Sequence, residues 1–240
     1  MKPYTTFSSV YDYVLKHVDY ERWYSYIRSL MFRYIDNPKM LLELGCGTGK
    51  FGAKFSRDNF EIFGMDNSIE MLRIAKNRAY KKFHIFCSDM TNFTLSKKFD
   101  FIFSVHDTMN YFLEPDELAR VFRSARRIMT NDSIFMFDIT TEYNIKKYFF
   151  NNKTDYSVNG MEVEWENKYD AEKKIIYSIL TFKQGSLIET ETHIQRLYTI
   201  DEIKNILKSE NYKLIDVFSD YSFNPVKENT VMINFISKIN

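Results

Sequence analysis

The stretch Leu41-Leu42-Glu43-Leu44-Gly45-Cys46-Gly47-Thr48-Gly49 decides the fold. An apolar run enters a loop with glycine at every second position, and a helical pattern follows from Lys50 to about Ser56. Glycine lets the backbone turn sharply after a strand and approach a ligand with no side chain in the way. The N–H groups of the next helix can then face polar ligand atoms. The stretch therefore predicts a binding site for a nucleotide-type cofactor.

Strand and helix patterns alternate around this loop. Short apolar runs predict strands at about 40–44, 60–65, 83–86, 99–105 and 133–139, and helical patterns lie at 68–79 and 115–129. Such alternation is typical of a parallel sheet with helices on both faces. Near the end of the chain the pattern predicts a helix at 200–209 and strands at about 212–219 and 230–238. We therefore predict an α/β fold with a doubly wound, Rossmann-like sheet of seven strands, mostly parallel, with the last strand antiparallel.

Two regions lie outside this alternation. Residues 9–35 carry apolar residues at three- and four-residue steps, which predicts helix, and residues 1–38 are expected to form an N-terminal helical cap. Residues 155–198 contain three extended segments, 156–169, 174–183 and 187–198, joined by turn sequences. We predict an antiparallel β insert over 140–198, and a core made of 39–139 and 199–240. The insert has one apolar face to bury, which favours a lid over an acceptor pocket, with a dimerisation surface as the alternative; that face carries Val163, Trp165, Ile176, Leu180 and Phe182.

Composition narrows the class of protein. The 240 residues carry a net charge of +1, which provides no electrostatic field for a phosphate backbone and argues against a nucleic-acid acceptor. The two cysteines, Cys46 and Cys87, form neither a CxxC motif nor a Cys/His cluster, so we expect no metal site and no disulfide. The sequence shows neither a signal peptide nor a membrane-spanning run. We therefore expect a cytoplasmic protein without membrane contact, either a monomer or a homodimer.

The glycine spacing discriminates between cofactors. Gly45-x-Gly47-x-Gly49 differs from the GxGxxG of dinucleotide sites, and Phe51 stands where a phosphate-binding loop requires Ser or Thr. Asp66 ends the second predicted strand, where a carboxylate can accept the hydroxyls of a ribose. A helix cap is the alternative role for a single aspartate at that position.

Several motifs together resemble one family. LLELGCGTG, GMDNSIEML, CSDMTNF, FDFIFSVHDTMNYF and THIQRLYTIDEI are similar to the class I S-adenosylmethionine (SAM)-dependent methyltransferases over nearly the whole chain. The N-terminal FSSVYDYVLKHVDYERWYSYI and the fourth of these motifs resemble a small bacterial subgroup related to amino-sugar and glycine N-methyltransferases. The resemblance implies SAM as cofactor, S-adenosylhomocysteine as product, and transfer to nitrogen or oxygen of a small molecule. An RNA- or protein-directed methyltransferase and a non-catalytic SAM-binding scaffold remain alternatives.

The resemblance also implies a set of site residues. His106 is the first candidate for a general base, Asp107 the second, and Tyr11 is expected beside the reacting groups. His193 is expected to lie exposed on a strand of the insert, on the face opposite Arg196 and Tyr198, and a face that lines the acceptor pocket is the alternative. His17 and His84 are interpreted as structural. The expected cofactor-binding residues are Tyr11, Trp23, Glu43, Gly45, Cys46, Gly47, Gly49, Asp66, Asn67, Met71, Ser88, Asp89, Met90 and His106.

Overall fold

A seven-stranded sheet forms the centre of the protein. The computed structural model describes residues 2–240. The strands lie in the order β10-β11-β5-β4-β1-β2-β3, and β11 is antiparallel to both of its neighbours. The predicted doubly wound α/β sheet is therefore confirmed. Its strands are β1 (Met40–Leu44), β2 (Glu61–Asp66), β3 (Phe83–Cys87), β4 (Phe101–Ser104), β5 (Ile134–Thr140), β10 (Tyr212–Ser219) and β11 (Met232–Ile239).

Helices cover both faces of this sheet. Alternate residues of β1 point to opposite faces, so Leu41 packs with one helical layer while Leu42 and Leu44 pack with the other. Helices α2 and α3 belong to the first layer, and α5 and α7 to the second. The helices are α1 (Tyr11–Val14), α2 (Tyr20–Tyr34), α3 (Lys50–Arg57), α4 (Ile69–Lys76), α5 (Pro115–Arg126), α6 (Glu142–Asn144) and α7 (Ile200–Ser209). Phe7–Ser9 and Thr108–Tyr111 form short 3-10 helices, and Ile145–Phe149 forms one turn of π-helix.

The prediction of one helical segment over 9–35 was wrong. Helix α1 ends at Val14, and α2 begins only at Tyr20. The Asp19 side chain accepts the N–H of Arg22 and so caps the start of α2. The break lets the short N-terminal part of the chain, residues 4–14, turn away from the sheet and reach the insert.

The insert is a separate antiparallel sheet of four strands in the order β6-β7-β8-β9. The predicted first segment, 156–169, is in fact a hairpin, because the backbone reverses at Asn159 and Gly160, which both have positive φ. The buried part of its apolar face packs against Phe7, Val10 and Val14 of the N-terminal part of the chain. The strands are β6 (Lys153–Val158), β7 (Met161–Asp170), β8 (Ile175–Gln184) and β9 (Leu187–Arg196).

The order of the sheet determines where a ligand can bind. Successive parallel strands run outward from β1 in both directions, so a crevice opens between β1 and β4 at their carboxyl ends. The loops after β1, β2, β3 and β4 all meet at this edge.

Candidate active site

The glycine loop after β1 is bent tightly against the end of β2. Gly45, Gly47 and Gly49 have φ values of +75°, +51° and +78°, in the left-handed region. The N–H groups of Gly45 and Cys46 both donate to the carbonyl of Met65, at 2.8 and 2.9 Å. A Cβ on Gly45 would lie 2.7 Å from the Thr108 side chain, whereas one on Gly47 would meet no atom within 4 Å. The loop is thus packed at Gly45 and open at Gly47.

Two buried carboxylates flank this loop. Asp66 accepts the N–H of Gly47 through Oδ2 at 2.8 Å and the N–H of Ser68 through Oδ1 at 2.9 Å. Glu43 is 1% exposed and accepts the N–H of Gly52 at 3.1 Å. Burial raises the pKa of both carboxyls, most strongly that of Glu43, against the hydrogen bonds from these N–H groups. Each carboxylate oxygen can accept more than one hydrogen bond, so both groups can also bind a ligand.

Two cavities meet beside the loop. A small one, about 30 Å³, lies against Glu43 and the loop, and a large one, about 600 Å³, lies beneath the insert. Tyr11 and His106 are the residues that line both. The lining of the large cavity is mainly apolar and includes several aromatic rings, with polar groups that include Asp107 and Gln195. Tyr11 and His106 therefore form the junction between the two cavities.

The loop after β4 is held in an unusual backbone conformation. His106 and Asp107 have φ values of +64° and +50°, which non-glycine residues rarely adopt. Their N–H groups donate to the two oxygens of Asp138, at 2.9 and 2.8 Å, and Tyr221 donates its hydroxyl to the same carboxylate. Asp138 is fully buried on β5. This carboxylate therefore fixes the position of His106 at the junction.

Aromatic rings support the same loop. Trp23 stacks on Tyr221 with ring centroids 3.8 Å apart, and its centroid lies 5.0 Å from that of His106. Tyr20 also stacks on His106, at 6.0 Å, and its ring centroid lies 6.4 Å from that of Trp23. Trp23 lines the large cavity and not the small one.

The free energy of unfolding should depend on the ionisation of Asp138. Burial raises the pKa of Asp138 to about 7, against the hydrogen bond from Tyr221, which lowers it. Between about pH 4 and 7 the folded chain keeps a proton that the unfolded chain has released. The contribution of Asp138 to stability is therefore complete below its unfolded pKa and is lost as the pH rises through 7.

We expect the free energy of unfolding of wild type to fall, relative to that of Asp138→Asn, as the pH rises from 4.5 to 7.5. The difference between the two free energies of unfolding should change by no more than about 1.4 kcal/mol per pH unit. Urea unfolding at several pH values measures it, and the variant serves as the reference because its amide at this position does not titrate in this range. If the free energy of unfolding of wild type instead rose relative to that of the variant with increasing pH, the pKa of Asp138 would be lowered in the folded state.

The N-terminal part of the chain closes over the loop. Asp12 accepts the hydroxyl of Thr48 at 2.9 Å and pairs with Lys50 at 3.3 Å and Arg78 at 2.6 Å. Burial opposes ionisation of Asp12, but the hydrogen bonds and charges of Arg78, Thr48 and Lys50 lower its pKa. The carbonyl of Tyr4 accepts the hydroxyl of Ser68 at 3.1 Å. Residues 4–14 thus form a roof between the core and the insert.

The prediction that His193 is exposed was wrong. His193 is 3% exposed and lines the large cavity, because the N-terminal roof covers this face of β9. Gln195 lies on the same face and donates to Oδ2 of Asp107 at 2.9 Å. Arg196 and Tyr198 point elsewhere and bind the carbonyls of Leu113 and Phe112, respectively. His84 is exposed and pairs with Glu61, and the exposed His17 lies at the rim of the large cavity.

The remaining predicted cofactor residues lie around the ends of β2 and β3. Asp89 is exposed, and its Oδ1 accepts the N–H and hydroxyl of Thr91 at 2.8 Å each. Met90 is mostly buried, and its methyl group would lie 3.2 Å from a Cβ on Gly45. Met71 is buried on α4, and Asn67 is exposed. The backbone N–H of Ser88 donates to the carbonyl of Asp66 at 3.1 Å, which joins the two strand ends.

The protein is similar to known methyltransferases. Residues 41–132 match the model of the family described as a methyltransferase domain. A SAM-dependent methyltransferase from Clostridium acetobutylicum is 26% identical and covers 98% of both chains, with a TM-score of 0.84. These matches support a class I SAM-dependent methyltransferase. The curated "Putative methyltransferase YqeM" of Bacillus subtilis is 25% identical over 91% of this chain and 90% of its own length.

A further methyltransferase structure contains the cofactor. SAM-bound CalS10, an amino pentose methyltransferase from Micromonospora echinaspora, shares the fold with a TM-score of 0.68. It is 12% identical and covers 91% of this methyltransferase and 92% of its own chain. SAM is the cofactor of the present methyltransferase. The open space at Gly47 and the buried carboxylates beside it fit this group, because SAM carries hydroxyls, amino groups and a positive sulfur.

Among residues 2–240, no helix is both long and apolar enough to cross a membrane. Cys46 is a free thiol buried in the glycine loop, and Cys87 is a free, exposed thiol at the end of β3.

Proposed function

We propose that this methyltransferase transfers a methyl group from SAM to a nitrogen or oxygen atom of a small molecule held in the 600 Å³ cavity. The observation that carries the proposal is the shared wall of the two cavities, formed by Tyr11 and His106. When bound, SAM supplies a methyl group on a positively charged sulfur. The protein then has to hold the acceptor in line with that methyl and keep water out.

The cofactor is assigned to the residues around the glycine loop. Gly45, Cys46, Gly47 and Gly49, with Glu43, would hold its amino-acid end, and Asp66 its ribose. The resemblance to relatives assigns the adenine to Asp89 with Ser88, Met90 and Met71, and Asn67 to the cofactor in general. The ring of Tyr11, which lines both cavities, would attract the sulfonium through a cation–π interaction.

The acceptor is assigned to the large cavity. Its aromatic walls and the carboxylate of Asp107 suit an amine, which is attracted both by aromatic faces and by negative charge. The name of the structural neighbour CalS10, an amino pentose methyltransferase, agrees with an amine acceptor. The roof formed by residues 4–14 and the insert covers this cavity, which favours a small molecule over RNA or protein. The insert would then act as a lid over the acceptor.

Transfer of a labelled methyl group from SAM tests this function. The purified protein would be offered a panel of amino sugars, other small amines and small alcohols, with bulk RNA and denatured protein in parallel. We expect label on at least one small amine or alcohol, and a lower rate for Asp107→Asn because its negative charge is removed. Label on RNA or protein alone would overturn the assignment of the acceptor class.

A further inference from the structure

A row of hydrogen-bonded side chains extends from the large cavity into the protein interior. The hydroxyls of Tyr4 and Tyr111 lie 2.6 Å apart, and that of Tyr111 lies 2.9 Å from Nδ1 of His193. Nε2 of His193 lies 3.3 Å from Oε2 of Glu191. Tyr4, Tyr111 and His193 line the cavity, whereas Glu191 is 0% exposed. The roof, the core and the insert each contribute to this row.

Glu191 fixes the direction of the hydrogen bonds. Burial opposes its ionisation, but hydrogen bonds from His193 and from the N–H groups of Phe7 and Thr6 lower its pKa. An ionised carboxylate only accepts hydrogen bonds, so Nε2 of His193 must carry a proton. Nδ1 of neutral His193 then accepts the hydroxyl of Tyr111, whose oxygen accepts the hydroxyl of Tyr4. The row therefore points from the cavity towards Glu191.

The two tyrosines in this row are suited to passing a proton on. Burial, as the largest cause, raises the pKa of Tyr4 and of Tyr111 well above the usual value, so both remain phenols. His106, which also lines the cavity, has no comparable partners. Nε2 of His106 lies 3.5 Å from the Tyr20 hydroxyl, and its Nδ1 lies 3.8 Å from Oδ1 of Asp107. Neither contact fixes which nitrogen of His106 carries the proton.

We propose that Tyr4, Tyr111 and His193 form a proton relay that accepts the proton lost by the methyl acceptor. This inference rests on the proposed function. The protonated amine of the acceptor gives its proton to the oxygen of Tyr4, while the Tyr4 proton passes to Tyr111 and the Tyr111 proton to Nδ1 of His193. The nitrogen lone pair freed in this way can then accept the methyl group. The product is His193 as an imidazolium beside the carboxylate of Glu191, with both tyrosines again neutral. Glu191 is a positioning residue, and His106 shapes the junction.

The variant Tyr111→Phe tests the relay, because it interrupts the row and leaves His193 and Glu191 in place. Tyr198→Phe is the matched control, since it removes a buried hydroxyl that binds the carbonyl of Phe112 outside the cavity. With an amine that the wild type methylates, we expect kcat of Tyr111→Phe to fall by about 100-fold or more at neutral pH. The loss should shrink as the pH rises, because the amine then reaches the site already deprotonated. The affinity for S-adenosylhomocysteine should not change.

The outcomes separate the two proposals. Methyl transfer by wild type and Tyr111→Phe at equal rates would overturn the relay and leave the proposed function intact. A loss that does not change with pH would likewise contradict the relay, because it would indicate a structural effect. No transfer to any small acceptor by the wild type would contradict the proposed function.

A measurement without turnover tests the relay independently. The chain has four histidines, so nitrogen NMR of protein labelled at histidine can resolve each ring, and the signals missing in His193→Gln assign His193. We expect neutral His193 to carry its proton on Nε2, and Tyr111→Phe to shift the Nδ1 signal through loss of its hydrogen bond. A proton on Nδ1 of neutral His193 in the wild type would overturn the relay.

Discussion

Gly47→Ala is expected to weaken S-adenosylhomocysteine binding by roughly 10- to 100-fold, equivalent to about 1.4–2.8 kcal/mol. The added methyl group would meet no protein atom within 4 Å, so it would occupy the open crevice where we place the cofactor. Residue 47 has a φ of +51°, which an alanine adopts only with a strain of about 1–2 kcal/mol in the folded state. Isothermal titration measures the affinity, and urea unfolding measures the stability.

The chain offers a matched control for this strain. Gly160 has a φ of +79° and would also accommodate a Cβ without contact, but it lies in the turn between β6 and β7. Gly160→Ala should lose a similar amount of stability and bind the ligand as wild type does. Equal loss of affinity in both variants would mean that strain, and not a blocked crevice, weakens binding.

Asp66→Ala is expected to weaken the same ligand by about 1–3 kcal/mol, or roughly 5- to 150-fold. The carboxylate is nearly buried and is held by the N–H groups of Gly47 and Ser68, so it is positioned before any ligand binds. Charge-assisted hydrogen bonds to two ribose hydroxyls would be lost in the variant.

A ligand lacking one hydroxyl separates ribose binding from damage to the loop. Wild type should bind S-adenosylhomocysteine more tightly than its 2′-deoxy analogue, and Asp66→Ala should bind the two about equally. If the variant still discriminated between the two ligands as strongly as wild type, Asp66 would not bind the ribose. It would then act only by holding Gly47 and Ser68.

The sheet and its cofactor loop could be predicted because their determinants are local. Apolar runs of strand length alternate with amphipathic helices, and three alternate glycines form the turn after β1. The break between α1 and α2 was missed because the apolar spacing continues through both helices. The available signal was Asp19, a favourable N-cap residue in the middle of that spacing.

The walls of the large cavity were harder to predict because they combine distant parts of the chain. Tyr4 and Tyr111 are 107 residues apart and meet only when the N-terminal roof closes. Alternation along β9 separates His193 from Arg196, but it does not indicate which face another segment will cover. The sequence pattern does indicate a special role for Asp138, since it is the one charged residue in the apolar strand Ile134–Thr140. A buried carboxylate in such a strand must have hydrogen-bond partners, and here these are the loop N–H groups and Tyr221.

A crystal structure with S-adenosylhomocysteine tests the central claim most directly, that the cofactor crevice opens into the acceptor cavity between Tyr11 and His106. We expect the homocysteine end along residues 45–49, the ribose on Asp66, and the sulfur facing the gap between those two rings. Density for the ligand at another place, or a sulfur turned away from the 600 Å³ cavity, would contradict the account.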